Sequence, residues 1–303
     1  MSTPVLLVTG FLGAGKTTAI NALLTGGHGH RIAAIVNDFG AINIDAELLE
    51  GAADSVIGLK NGCICCSLQG DLLRTLRLVL AHEPPPERIV IEASGAADPR
   101  GIMEAVMDPV LWDAVRLDAV ACVIDAQDVA EAPERMHDPL WLAQVRHADF
   151  ALLAKTGAAP EAAMARLRTL LAVERKPAFD IGAEGLPAGL LLGGGDFRHA
   201  APGPGRVTAD RFVTVEWRSE APVSLAAFQA ALPRIAPGLL RAKGYLALRE
   251  RAGEVVLFQL VGRRASFAPV APPPDGCCRM VLIGEREGFD PEAALAALDA
   301  ATV

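Results

Sequence analysis

Short apolar runs alternate along the chain with longer stretches whose apolar residues recur three or four positions apart. Residues 5–9 form an apolar, β-rich run that reads as a buried strand, and residues 18–24 continue as a helix. Runs at 31–36, 55–59, 88–91, 117–125 and 150–154 read as further strands. Residues 68–81 place apolar side chains at 72, 73, 76, 79 and 80, one face of a helix; 141–147 and 161–173 are also helical in pattern. Strands alternating with helices predict a mostly parallel sheet with its ligand at the carboxyl ends of the strands. Residues 182–206, rich in glycine and proline, interrupt this rhythm and read as a linker. Beyond them the order changes to a strand at 212–217, a helix at 223–232, strands at 239–248, 255–261 and 280–284, and a last helix from Pro291. That order predicts a smaller α+β unit with an antiparallel sheet.

The first strand runs into Gly10-Phe-Leu-Gly13-Ala-Gly15-Lys16-Thr17, which fills G-x-x-x-x-G-K-[ST] at every fixed position. Glycines let the backbone curl so that its N–H groups line a nest for anionic oxygens, here along Gly13, Ala14, Gly15 and Thr18. Lys16 is placed to reach the outer phosphates, Thr17 to offer a hydroxyl to Mg²⁺, and the helix behind them turns its positive end to the same point. The fold class expected is therefore α/β: a P-loop NTPase domain over residues 1–185, a linker at 186–206, and a smaller α+β domain over 207–303.

Composition narrows the partners. In a chain of 303 residues, 51% apolar and 21% charged is an ordinary soluble globular profile with room for two domains. A net charge of −8 leaves no basic surplus to neutralise a nucleic acid backbone, so nucleic acid is not expected as a partner. The apolar run at the N-terminus enters the phosphate loop at once and lacks a charged leader, so it is not read as a signal peptide. No apolar stretch approaches about 18 residues, and no membrane partner is expected. Six cysteines, three of them within 63–66, point to a metal or redox site in a reducing compartment, hence to the cytoplasm.

Chemistry-bearing residues cluster where strands end. Asn37-Asp38-Phe39-Gly40 leaves the second strand, where Asp38 is placed for Mg²⁺ or a mobile switch; a plain turn is an equal reading. Cys63-Ile-Cys65-Cys66 stands at a strand-to-helix junction. Thiolates so spaced converge on one soft or borderline ion, and adjacent Cys65 and Cys66 could pair only through a strained ring. Three sulfurs leave one tetrahedral position open, which suits a site that releases its metal. Glu92 closes an apolar strand and is placed for Mg²⁺ or its water, while Gly95 is placed to offer its N–H to a terminal phosphate. Asp98-Pro99 reads as a helix cap, Cys122 as core, and the histidines at 28 and 30 as a solvated turn. Arg241, Lys243, Gly244 and Tyr245 suit a contact with the first domain or a solvated basic edge equally, and Cys277-Cys278 reads as an exposed pair rather than as metal ligands.

Taken together, Gly-Phe-Leu-Gly-Ala-Gly-Lys-Thr-Thr at 10–18, Asn-Asp-Phe-Gly at 37–40, Asn-Gly-Cys-Ile-Cys-Cys at 61–66, Glu-Ala-Ser-Gly at 92–95 and Arg-Ala-Lys-Gly at 241–244 resemble the CobW family of P-loop GTPases. This is the metallochaperone branch related to the hydrogenase and urease nickel-insertion GTPases, and the resemblance spans nearly the whole chain. It implies Mg²⁺-dependent GTP binding and slow hydrolysis, coupled to holding Zn²⁺ or Co²⁺ on Cys63, Cys65 and Cys66 and handing it to a metal-requiring client protein. Lys16, Glu92 and Gly95 then carry the hydrolytic roles, and a homodimer is compatible with it. The sequence departs from the family pattern at two places. Its base-reading Asn-Lys-x-Asp stands here as Ala154-Lys155-Thr156-Gly157, which keeps Lys155 and Thr156 beside the base but removes the acid that reads guanine, so ATP stands beside GTP as a candidate. Asp38 replaces the usual Glu, and no His-rich tract separates the domains. Two rival readings share the phosphate loop: a small-molecule kinase, which gives the cysteines no role, and a binding module whose nucleotide recognition has decayed.

Overall fold

The computed structural model describes residues 2–26, 29–36, 55–58, 68–193, 212–251, 253–262, 264–270 and 278–302. Asp38, Cys63, Cys65 and Cys66 lie outside the described residues, as do His28 and Cys277. The chain divides into two compact units, Met1–Gly205 and Arg206–Val303.

In the first unit the strands are β1 (Thr3–Thr9), β2 (Ile32–Val36), β3 (Ser55–Gly58), β4 (Arg88–Glu92), β5 (Val115–Asp125), β6 (Phe150–Ala154) and β7 (Ala178–Asp180). They form one sheet in the order β3-β2-β4-β1-β5-β6-β7, and every pairing is parallel. Strands covered by helices on both faces have no solvated side, so their sequences read as unbroken apolar runs. Val5, Leu7, Ile35, Ile89 and Ile91 are completely buried, each contributing about 1.5–3 kcal/mol for the side chain removed from water.

The helices are α1 (Lys16–Thr25), α2 (Leu68–Leu80), α3 (Arg100–Val106), α4 (Ala126–Glu131), α5 (Pro139–His147), α6 (Glu161–Val173) and α7 (Ala188–Leu192). The apolar stripe expected on α2 is core: Leu72, Leu76 and Val79 are buried. Helices α3, α4 and α7 have no periodic signature, because each spans two turns or fewer. The linker reading does not hold at α7, where three successive leucines, 190 to 192, are buried despite the surrounding glycines.

The second unit pairs its strands antiparallel in the order β11-β10-β9-β12-β8. These are β8 (Phe212–Ser219), β9 (Leu239–Ala247), β10 (Val255–Val261), β11 (Arg264–Val270) and β12 (Cys278–Glu285). Helices α8 (Leu225–Ile235) and α9 (Pro291–Ala300) contribute Phe228, Ala231, Ala294 and Leu298 to the buried cluster of this unit. Strand β11 escapes sequence reading because it is an edge strand: its side chains are largely exposed, and Pro269 is tolerated only there. Two expectations are corrected. Cys278 is not an exposed thiol but a buried one, its sulfur accepting the Ala247 N–H at 3.2 Å. Arg241 is no solvated edge residue either, being 3% exposed on the central strand.

Candidate active site

Strand order brings the chemistry together. β1 lies between β4 and β5, with Val8 beside Glu92 and Thr9 beside Cys122. β6 follows β5, with Ala154 beside Asp125. The loops leaving the carboxyl ends of four adjacent strands therefore carry Glu92–Gly95, the phosphate loop, Asp125 and Lys155 side by side.

The phosphate loop is built by its backbone. Gly15 sits at φ 94°, ψ 25°, a left-handed conformation that opens α1 and turns successive N–H groups to one side. No acidic side chain occupies the first turn of α1, so the positive end of the helix is not neutralised from within. Ala14 and Lys16 are buried, and the Lys16 amine donates to the Phe11 carbonyl at 3.3 Å, curled over its own loop. Gly13 and Thr18 lie at the exposed rim.

Thr17 donates its hydroxyl to both carboxylate oxygens of Glu92, at 3.0 and 3.1 Å, and Glu92 is only 3% exposed. A hydroxyl and a carboxylate held together form an all-oxygen donor pair, the chemistry that a hard divalent cation such as Mg²⁺ requires. The structure thus brings Thr17 and Glu92 to one point from positions 75 residues apart.

Gly95 presses against the phosphate loop. A Cβ there would stand 2.8 Å from both the backbone nitrogen and the Cα of Leu12, and 3.0 Å from the Lys16 amine. Only glycine permits this approach. The turn closes on itself, with Ala97 N–H donating to the Ser94 carbonyl at 3.1 Å and Ala96 N–H to the Ser94 hydroxyl at 3.3 Å. The helix that follows begins at Arg100 with Pro99 at its N-cap, not Asp98 as expected; Asp98 stands one residue earlier and accepts from the Arg100 N–H at 2.9 Å and from its guanidinium.

Lys155 spans two loops: its amine reaches the Gly13 carbonyl at 3.3 Å and the Asp125 carboxylate at 2.5 Å. Its own backbone is left-handed, φ 55°, a strained state for a non-glycine residue that its surroundings must hold. Thr156 donates its hydroxyl to Asp180 at 2.8 Å, and Asp180 also accepts the N–H groups of Gly182 and Ala183. Sequence reading missed Asp125, although an acid at a strand end before a helix is a cap signal: it accepts the N–H groups of Gln127 and Asp128 at the start of α4. It also missed Arg135, whose guanidinium pairs with Asp128 and lies 4.3 Å over the ring of Phe11 in the phosphate loop. No sequence signal marks that contact. Cys122 is core as expected, its thiol pushed up to about 12 by burial.

The fold and this site define a P-loop nucleotide-binding protein. Residues 4–178 match the CobW/HypB/UreG nucleotide-binding domain and residues 212–302 the CobW C-terminal domain, so the chain belongs to the CobW/HypB/UreG family. Zinc chaperone CobW of Pseudomonas aeruginosa is 36% identical over 222 residues, 63% of this chain and 59% of that protein. Zinc chaperone YjiA of Escherichia coli is 37% identical over 194 residues, 62% of this chain and 60% of that protein. The matched part of the chain thus spans about three fifths of the length of these relatives. The crystal structure of Zn(II)-bound YjiA GTPase from E. coli is 26% identical and covers 99% of each chain, at a TM-score of 0.46. No helix among the described residues is long and apolar enough to cross a membrane.

Proposed function

We propose that this chain is a GTP-hydrolysing metallochaperone that binds Zn²⁺ or Co²⁺ and hands it to a metal-requiring client protein in the cytoplasm. The observation that carries the nucleotide half is the Thr17 hydroxyl gripped by both oxygens of buried Glu92, next to Lys16 and Gly95. In this reading the backbone from Gly13 to Thr18 cradles the phosphates, and the Lys16 amine leaves the Phe11 carbonyl for the outer phosphate oxygens. Thr17 and Glu92 hold Mg²⁺, which when bound neutralises charge on the transferring phosphoryl group. The Gly95 N–H meets the terminal phosphate, and Lys155 lies along the base with its amine tied to Asp125. GTP is the expected nucleotide, with ATP open because Ala154 and Gly157 carry no base-reading side chain.

The metal half is supported by Cys63, Cys65 and Cys66 in sequence and by relatives named zinc chaperones. Nucleotide state then alters metal affinity, and metal alters nucleotide affinity by the same factor. The test is hydrolysis of GTP and ATP side by side, with and without Zn²⁺ or Co²⁺, in the native chain and in the Cys65→Ser/Cys66→Ser variant. Metal-sensitive turnover that the double variant loses supports the reading. Metal affinity unchanged in the double variant sinks the chaperone half, and absent turnover sinks the enzymatic half.

A further inference from the structure

We infer that Gln144 is a positioning residue for phosphoryl transfer: its side-chain amide clamps the turn at 95–97 in its place over the phosphate loop. Gln144 stands on α5 and is 1% exposed, between buried Trp141 and Val145 on the same helix. Its amide nitrogen donates to the Gly95 carbonyl at 3.1 Å and to the Ala97 carbonyl at 3.2 Å. Both of those groups can only accept, so the nitrogen must face them, and both of its protons are used. The oxygen of the same amide is buried with no hydrogen-bond partner.

That half-met amide is informative. A buried amide with an orphaned oxygen carries a desolvation cost; a leucine or methionine of similar volume would remove that cost but leave the Gly95 and Ala97 carbonyls without this donor. The two bonds it does make go to one short turn. That turn is where Gly95 packs so close to Leu12 and Lys16 that no room is left for even a methyl group. A helix thus holds, through one side chain, a turn that packs against the phosphate-binding lysine. Holding the turn before nucleotide arrives keeps the Gly95 N–H aimed where charge develops, so no reorganisation is needed at the moment of transfer. The gain falls on the terminal phosphate and not on the inner phosphates, which the Gly13–Thr18 backbone binds.

This rests on the hydrolytic reading above. The experiment compares the full-length chain with Gln144→Met and Gln144→Leu, measuring kcat and KM for GTP, affinity for GDP and for a non-hydrolysable GTP analogue, and thermal stability. In both variants kcat is expected to fall about tenfold or more, as a displaced catalytic contact does. GDP affinity should stay within about twofold and the preference for the GTP analogue over GDP should shrink, while the melting temperature falls no further than the loss of two hydrogen bonds to carbonyls requires. A kcat equal to that of the native chain, or a loss of kcat matched by equal losses of GDP affinity and stability, overturns the assignment. Absent turnover in the native chain instead defeats the hydrolytic reading. Should neither variant fold, amide exchange on the native chain decides. Protection of the 95–97 amides comparable to β4 without nucleotide supports the clamp, and exchange at the rate of an open loop overturns it.

Discussion

Thr17 and Glu92 are joined by a forked hydrogen bond, one hydroxyl shared between two carboxylate oxygens at 3.0 and 3.1 Å, although the two residues come from different strand ends. The parallel register of Val8 with Glu92 makes the meeting unavoidable, since it sets the end of β4 beside the mouth of the phosphate loop. In Glu92→Gln the amide oxygen still accepts from Thr17, so folding should be unaffected while the negative charge is lost. Turnover and Mg²⁺ affinity are expected to fall by about 10–100-fold, read from a Mg²⁺ titration of hydrolysis. An unchanged titration would remove Glu92 from the metal site.

Gly95→Ala tests the close approach of the two loops. The new methyl group meets backbone atoms of Leu12 at 2.8 Å, and backbone cannot swing aside as a flexible side-chain tip can. The turn must therefore move off the phosphate loop. Discrimination between a GTP analogue and GDP, measured by calorimetry, should drop about tenfold or more, with little change in GDP affinity.

Installing the family's base-reading residues tests whether Ala154 and Gly157 set the choice of base. A Cβ at Gly157 meets nothing within 4 Å, so an added side chain has space. The Thr156–Asp180 bond and the Lys155–Asp125 pair already hold the loop in shape. Ala154→Asn with Gly157→Asp is expected to raise the preference for GDP over ADP by roughly ten- to a thousandfold, measured as the ratio of dissociation constants. No change in that ratio would mean that the base is bound elsewhere.

Cys122 makes a prediction about alkaline pH. Its folded thiol is raised from the usual 9.0 to about 12, first by burial, against a smaller opposing effect of Lys16 and Lys176. Below pH 9 both folded and unfolded thiols are neutral and the residue adds no pH dependence. Between pH 9 and 12 the unfolded thiol ionises while the folded one does not, so stability falls by about 1.4 kcal/mol per pH unit. Cys122→Ala should flatten that part of a denaturation-versus-pH curve relative to the native chain. At pH 8 the folded Cys122 should also resist iodoacetamide, seen as an unmodified peptide by mass spectrometry.

Local patterning was enough for most of the framework. The runs of apolar residues at β1, β4, β5 and β6 are strands because no other element buries so short an apolar stretch on both faces, and the spacing along 72, 76 and 79 is legible as a helix face. The phosphate loop is equally local: three glycines, a lysine and a threonine carry its geometry in their own backbone preferences. The same logic fails for α3, α4 and α7, too short to show a period, and for edge strand β11, whose side chains bury too little to leave a pattern.

What tertiary structure alone decided is which distant residues meet. Glu92 and Gly95 are candidates in the sequence, but only the parallel order β4-β1-β5-β6 sets them against Thr17 and Lys16, and brings Asp125 to Lys155. Arg135 over Phe11 and Gln144 under Gly95 had no local signature at all. Their roles depend on where a helix is docked, and a docked helix is the outcome of packing over the whole sheet, not of the few residues that carry the contact.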